Sequence, residues 1–256
     1  MSLAAVLFDL GGVLLRTEHQ APREHLAERL NMTYEDLDRI VFASESARLA
    51  SVGAISTAKH WEAVLARVGR PASEADEIRA EFFAGDVIDR DLIRYIRDLR
   101  PRHKTGLLSN GWPDLREYVV QNHFEDAFDV VIISAEVNRM KPDPEVYGIA
   151  LRDLGVRPAE AAFVDDTPEN IAAANALGMH GILFKNPAQM RSALAAPESV
   201  DDTVNRYPVP SLTIPADTPT FAALMASRIP ARLLWPALMV TVLVALSGFR
   251  VKVSML

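Results

Sequence analysis

Four short clusters of polar residues in this chain contain the side chains that nucleophilic and metal-assisted hydrolysis require. A carboxylate can attack an electrophile or bind a metal ion, an ammonium group can neutralise an anion, and hydroxyl and amide groups can bind its oxygens. Each cluster alone is equally compatible with a turn or a helix cap. Only the four clusters together indicate a functional site. The clusters are Asp9-Leu10-Gly11-Gly12, Ser109-Asn110-Gly111, Lys141-Pro142-Asp143 and Asp165-Asp166-Thr167.

Each cluster follows a short apolar segment that is typical of a buried strand. The segments are residues 4–8, 105–108, 130–133 and 161–164, and a fifth lies at residues 181–184. They lack the polar alternation of half-exposed strands, which predicts a parallel sheet covered on both faces. Because the carboxyl ends of parallel strands share one edge of the sheet, we expect the four clusters to meet in one cleft.

Helical patterns alternate with the later strands. Residues 144–154 and 168–177 each have proline in the first turn and glycine directly after the last residue, which are start and stop signals of helices. The fold class predicted from this alternation is α/β, with a doubly wound parallel-sheet (Rossmann-like) core.

A long insertion separates the first two predicted strands. It carries helical patterns at residues 22–30, 34–42, 58–68, 73–83 and 91–99. We expect the last helix to return to the core and the others to form an inserted α-helical cap domain at the carboxyl end of the first strand, where open α/β sheets bind ligands. The predicted domains are a core at 1–15 and 88–190 and a cap at 16–87.

The C-terminal quarter differs in composition from the rest of the chain. Six of the 16 prolines lie within residues 208–236, a density that disfavours regular helices and central strands, and we predict a Pro-rich linker at 191–232. A hydrophobic tail follows at 233–256, and its residues 233–249 carry no charge. As a helix this stretch would span roughly 25 Å, against about 30 Å of hydrocarbon core. The alternative roles for this stretch are membrane contact through 233–249, packing on the core, and a C-terminal end that the domain does not need.

Composition excludes several classes of protein. The 256 residues include 27 Lys and Arg, 34 Asp and Glu, and no cysteine, which gives a net charge of −7. Disulfides, thiolate zinc sites and cysteine nucleophiles are therefore excluded. The acidic balance predicts no nucleic-acid partner. No basic segment precedes the first apolar run, so we expect a cytoplasmic protein rather than a secreted one, with tail anchoring as the alternative.

The four motifs in this order resemble those of the haloacid dehalogenase-like hydrolase superfamily, over residues 3–186. The resemblance is to its phosphatase branch with a helical cap inserted after the first motif. It implies Mg²⁺ as cofactor and a small phosphorylated metabolite as partner, with a sugar phosphate as one candidate. It implies an aspartyl-phosphate on Asp9. The implied roles are catalysis by Asp9, Ser109 and Lys141, substrate binding by Ser109, Asn110 and Gly12, and metal binding by Asp9, Gly11, Asp165 and Asp166.

One position departs from the usual pattern of these phosphatases. Gly11 stands where they usually carry a second aspartate that protonates the leaving alcohol. General acid catalysis is typically worth about 10²–10⁴-fold. Three explanations remain open: a substrate with a good leaving group, such as a glycosyl or acyl phosphate; a substitute acid such as Glu18, His19 or a cap residue; or a weakened site that binds without turnover. Some phosphatases of the superfamily also have glycine here.

Two further functions are alternatives to the phosphatase. A metal-independent 2-haloacid dehalogenase-type hydrolase would also lack the second aspartate, because halide leaves without a proton. However, Asp165 and Asp166 would place two extra carboxylates beside Asp9 without a cation, which is electrostatically costly. The other alternative is a catalytically weak protein that binds a phosphorylated ligand, or a membrane-tethered interaction protein.

Overall fold

The computed structural model describes residues 3–195, so the hydrophobic tail and nearly all of the predicted linker lie outside the described residues. The described strands are β1 (Ala5–Phe8), β2 (Leu15–Thr17), β3 (Asp86–Ile88), β4 (Lys104–Ser109), β5 (Val130–Ile133), β6 (Ala161–Asp165) and β7 (His180–Leu183). The described helices are α1 (Ala21–Arg29), α2 (Tyr34–Phe42), α3 (Glu45–Ser51), α4 (Thr57–Arg67), α5 (Ala75–Phe83), α6 (Arg90–Leu99), α7 (Leu115–Gln121), α8 (Ser134–Val137), α9 (Pro144–Leu154), α10 (Pro168–Ala176) and α11 (Pro187–Ala195).

Five strands form a parallel sheet with β1 at its centre. The strand order is β5-β4-β1-β6-β7, and all four pairings are parallel. Leu7 pairs with Gly106 on one side and Phe163 on the other. All of β1 is buried, as expected for a central strand covered by helices on both faces. The predicted α/β fold class is confirmed.

The side chains of β1 point alternately to the two faces of the sheet and so belong to two separate hydrophobic layers of the core. Val6 and Phe8 belong to a cluster with side chains of α6, α7 and α11. Ala5 and Leu7 belong to a second cluster with side chains of α9 and α10. Successive side chains of a strand point to opposite faces, so β1 anchors both layers at once.

The helix signals in the sequence locate the helices that follow the later strands. At the start of α9, the side chain of Asp143 accepts a hydrogen bond from the backbone N–H of Glu145, at 2.9 Å. Gly155 ends the helix at φ 65°, a conformation that glycine adopts without steric cost. The bounds of α9 are those that the sequence predicts, and α10 ends one residue earlier than predicted.

The helices α1 to α5 form an insertion, called here the helical insert (residues 21–83). It leaves the core after β2 and returns at β3, and these strands pair antiparallel, with Thr17 opposite Asp86. The insert has its own hydrophobic cluster, which includes the buried side chains of Trp61 and Phe82. It therefore carries its own core.

Two further observations concern the described part as a whole. Within residues 3–195, no helix combines the length and the apolar character needed to cross a membrane. The last described helix, α11, extends to Ala195 and so passes residue 190, where the sequence predicts the core to end.

Candidate active site

The polar clusters meet at the carboxyl edge of the parallel sheet. Asp9 directly follows β1, Ser109 ends β4 and Asp165 ends β6. Carboxylate oxygens of Asp9, Asp165 and Asp166 lie within 4.8 Å of one another. The structure therefore brings together three acidic side chains that are up to 157 residues apart in sequence, counting 166 − 9.

A buried lysine lies between two of these carboxylates. Lys141 is 2% exposed, and its Nζ lies 2.8 Å from Oδ1 of Asp9 and 2.7 Å from Oδ2 of Asp165. Its loop is fixed by Asn110: the backbone N–H of Lys141 donates to Oδ1 of Asn110, at 2.7 Å, and Nδ2 of Asn110 donates to the Lys141 carbonyl, at 2.9 Å. In this structure, the side chain of Asn110 thus positions the lysine.

Asp165 also accepts hydrogen bonds from two residues at the start of α10. Nδ2 of Asn170 donates to both of its carboxylate oxygens, at 3.1 and 3.0 Å, and the backbone N–H of Thr167 donates to Oδ1, at 2.8 Å. Asn170 is not among the site residues predicted from the sequence. Its position in the first turn of α10, five residues after Asp165, was the signal that could have revealed it.

The cluster carries more negative than positive charge. Three carboxylates face one ammonium group, so fully ionised they leave two negative charges. Burial raises the pKa of the Asp9 carboxyl to about 6, opposed by the charge of Lys141 and reinforced by that of Asp165. Burial and the charge of Asp165 also raise the pKa of Asp166. A divalent cation would balance this charge, and carboxylate oxygens are the ligands that Mg²⁺ prefers.

Gly11 and Gly12, which follow Asp9 and Leu10, differ in the space around them. Gly12 has φ +70°, and a Cβ atom there would lie 1.9 Å from Oδ2 of Asp166, so a side chain is excluded by both conformation and space. Gly11 is exposed, and no atom lies within 4 Å of the place its Cβ would occupy. The space for a side chain at residue 11 is therefore open.

A cleft of about 940 Å³ opens between this edge of the sheet and the helical insert. Gly11, Gly12, Ser109 and Asn110 line it from the core. Further lining residues come from the insert and from the segment after β4, among them Arg23, Phe42, Phe83, Trp112, Leu115 and Tyr118. The first group was predicted from the sequence and the second was not.

Two polar junctions join the insert to the core beside the cleft. Asp114 accepts hydrogen bonds from Thr57 of α4, at 2.8 Å, and from Arg79 of α5, at 2.5 Å. At the other junction, the buried hydroxyl of Ser134 donates to the carbonyl of Ser51, at 2.6 Å. The insert is thus held against the loops that carry the site.

A family model described as haloacid dehalogenase-like hydrolase matches residues 3–178. The chain belongs to the haloacid dehalogenase-like hydrolase family. The match includes every site residue predicted from the sequence, from Asp9 to Asp166, and confirms the resemblance on which those predictions depend. The protein is therefore an enzyme of this hydrolase family, and the predicted family is correct.

Curated relatives of this haloacid dehalogenase-like hydrolase include phosphatases. The D-ribitol-5-phosphate phosphatase of Bacteroides thetaiotaomicron is 24% identical over 216 residues, which are 74% of this chain and 95% of the relative. The bifunctional epoxide hydrolase 2 of Rattus norvegicus is 28% identical over 235 residues. The match covers 84% of this chain but only 41% of that relative, so the chain spans less than half of it.

Solved structures share the fold of this haloacid dehalogenase-like hydrolase. A HAD family enzyme from Bacteroides thetaiotaomicron, solved in complex with magnesium and inorganic phosphate, aligns with a TM-score of 0.63 and 24% identity. The alignment covers 73% of this chain and 96% of that one. At 24% sequence identity, this structural similarity establishes the fold of the chain.

Proposed function

We propose that the protein hydrolyses phosphate monoesters of small metabolites, that it depends on Mg²⁺, and that the reaction passes through an aspartyl-phosphate on Asp9. The observation that carries this proposal is the juxtaposition of Asp9, Asp165 and Asp166 around the buried Lys141. Relatives named as phosphatases and a fold relative solved with magnesium and phosphate support it.

The carboxylates of Asp9, Asp165 and Asp166 would hold the metal ion, together with the carbonyl of Gly11. When bound, Mg²⁺ supplies positive charge between the carboxylates and the phosphate, which would otherwise repel each other.

The side chains of the protein carry out the remaining steps of the proposed reaction. A carboxylate oxygen of Asp9 attacks phosphorus, the P–O bond to the alcohol breaks, and water then cleaves the aspartyl-phosphate to release inorganic phosphate. Lys141 neutralises charge on Asp9 and on the transferring phosphoryl group. The hydroxyl of Ser109, a residue that lines the cleft, donates to a phosphoryl oxygen. The helical insert acts as the cap that shields these steps from bulk water.

The acidic cluster argues against a metal-independent dehalogenase. Such an enzyme needs one nucleophilic carboxylate, and two further carboxylates within 4.8 Å of it would oppose its ionisation. Burial is the main cause that raises the pKa of Asp9, and the charge of Asp165 raises it further. A metal-dependent reaction uses all three acidic groups.

The test is phosphate release by the wild-type protein and by Asp9→Asn, each with Mg²⁺ and with a chelator. We expect wild-type turnover only with Mg²⁺, and a loss of roughly 10³-fold or more in Asp9→Asn, because the nucleophile is removed. The matched control is Asp98→Asn, the same change at an exposed position of α6, which should retain wild-type turnover.

Other results would contradict the proposal in distinct ways. Undiminished turnover in Asp9→Asn would exclude the aspartyl-phosphate. Halide release from 2-haloacids in the presence of chelator would establish the dehalogenase instead. Stabilisation by phosphorylated ligands, without turnover across sugar, nucleotide and acyl phosphates, would identify a binding protein.

A further inference from the structure

Three aromatic residues that line the cleft pack against one another. The rings of Phe42 and Trp112 stack with centroids 6.0 Å apart and planes 24° apart, and Phe83 meets Trp112 edge-on at 6.3 Å. We call these three residues the aromatic wall. They lie in the same cleft as Ser109 and Gly12, so a group bound to the phosphate site can extend onto them.

Phe42 is unusually exposed for an aromatic side chain. It is 47% exposed at the end of α2. Among residues 3–195, the large apolar side chains of comparable exposure are Val87 and Val120, and neither lines the cleft. An exposed aromatic ring inside a ligand cleft is well placed to bury apolar ligand surface.

The arginines of the cleft are already paired with carboxylates. Nη2 of Arg23 donates to both oxygens of Asp86, at 2.8 and 3.0 Å, and Arg79 donates to Asp114, at 2.5 Å. Arg16 pairs with Asp89 at 3.0 Å.

Hydroxyl groups of a sugar would have to compete with these partners for hydrogen bonds, whereas a hydrocarbon group would leave them intact. Asp76, another acidic side chain of the cleft, is exposed to water and keeps its hydration without a ligand.

We propose that the preferred substrate is a phosphate monoester of a predominantly apolar alcohol, whose hydrocarbon part lies against the aromatic wall. This inference rests on the proposed phosphatase function and specifies the leaving group. The cleft, at about 940 Å³, is large enough for such a group beyond the phosphate. Phe42 is then a specificity-determining residue.

The test measures kcat/KM for ethyl, butyl, hexyl and octyl phosphate in the presence of Mg²⁺. These esters share a primary alkyl leaving group, so chain length changes the apolar surface while leaving-group chemistry stays nearly constant. We expect kcat/KM to rise with length by up to about fourfold for each added methylene that is buried. Glucose 6-phosphate provides the hydrophilic comparison and should be hydrolysed less efficiently than hexyl phosphate.

Variants of the aromatic wall test whether it causes this dependence. Phe42→Ala should flatten the increase with chain length, and Phe42→Leu should restore part of it. Val120→Ala is the matched control, since Val120 is also 47% exposed but lies outside the cleft, and it should keep the wild-type dependence.

Binding of alkylphosphonates of the same lengths, measured by calorimetry with Mg²⁺, gives a readout without turnover. Their affinity should rise with length in the wild type and less in Phe42→Ala.

The outcomes separate this inference from the proposed function. Asp9-dependent hydrolysis with no dependence on chain length, or with a preference for glucose 6-phosphate, overturns the inference and leaves the phosphatase intact. Absence of hydrolysis for every ester overturns the phosphatase. In that event the phosphonate affinities still decide whether the wall binds apolar chains: equal affinities at all lengths overturn the inference.

Discussion

Gly11 is the residue at which this site departs most from the usual phosphatase pattern. The position is exposed, its backbone is outside the left-handed region, and the space for a Cβ atom is free. Nothing in the local structure therefore excludes an aspartate. In the proposed phosphatase reaction, the proton for the leaving alcohol would come from another group or from water.

We predict that Gly11→Asp raises kcat/KM for alkyl phosphates, by up to about 10²-fold, because an added carboxyl group can protonate a poor leaving group. The gain should be much smaller for an aryl phosphate with an acidic phenol, which leaves without protonation. Steady-state kinetics on the two ester classes measure the difference.

The control for this prediction is Gly148→Asp, the same change at an exposed glycine of α9 with equally free space. It should leave both rates unchanged. An equal change on the two classes of ester in Gly11→Asp would show that the new carboxylate acts on the metal or the fold and not as an acid.

Whether the sequence predicts a site residue depends on what brings that residue to the site: a strand end, or the packing of the insert on the core. Asp9, Ser109 and Asp165 are placed by strand ends, which parallel topology brings to one edge. Phe42 and Trp112 escaped prediction because they meet only through the packing of the insert on the core, and a single sequence does not reveal that register.

At the scale of elements, the sequence predicts most of the longer helices and misses the shortest elements, although the nine-residue α11 was not predicted either. The helices α2 and α9 have the predicted bounds, because about three turns of apolar periodicity and clear end signals define them. The short α3, β2 and β3 were not predicted. Three-residue strands carry no measurable alternation, and β2 forms because β3, some 70 residues later, pairs with it.

The junction at Ser134 links three elements of the site. Its hydroxyl, which is fully buried, accepts from the backbone N–H of Gly111, at 3.0 Å, and donates to the carbonyl of Ser51 in α3, at 2.6 Å. It therefore couples the loop after β4, which begins at Asn110, to the helical insert.

We predict that Ser134→Ala lowers the free energy of unfolding by about 1–3 kcal/mol, because it leaves a buried N–H and a buried carbonyl without this partner. Turnover should fall as well, since the loop that carries Asn110 and Gly111 loses an anchor. Urea denaturation and steady-state kinetics measure the two effects.

Ser192→Ala provides the comparison, because its exposed hydroxyl donates only to a carbonyl of its own helix, that of Ala188 at 3.0 Å. Its unfolding free energy should stay within about 0.5 kcal/mol of the wild type. If both variants were equally stable, the Ser134 junction would contribute nothing to the attachment of the insert.

At the scale of the whole molecule, the described site depends on a defined part of the chain. The residues that form the acidic cluster and its supports lie between Asp9 and Asn170, and the family match ends at residue 178. We predict that a chain ending at Ser199 keeps kcat/KM within about twofold of the full chain, measured with the same ester and Mg²⁺.

Sedimentation of both chains with phospholipid vesicles completes this comparison, because residues 233–249 are the segment for which membrane contact remains a hypothesis. Binding of the full chain alone would support that hypothesis. A large loss of turnover on shortening would show that the C-terminal residues contribute to the site.

The pairing of β2 with β3 places the two points where the helical insert joins the core on neighbouring strands, with Thr17 opposite Asp86. A segment whose ends meet in this way can be exchanged for another of different size without moving β1 or β4. Of the proposed aromatic wall, Phe42 and Phe83 come from the insert and Trp112 from the loop after β4. We expect that grafting other inserts between these two strands exchanges the first two contacts, and with them the specificity, while the core keeps the third.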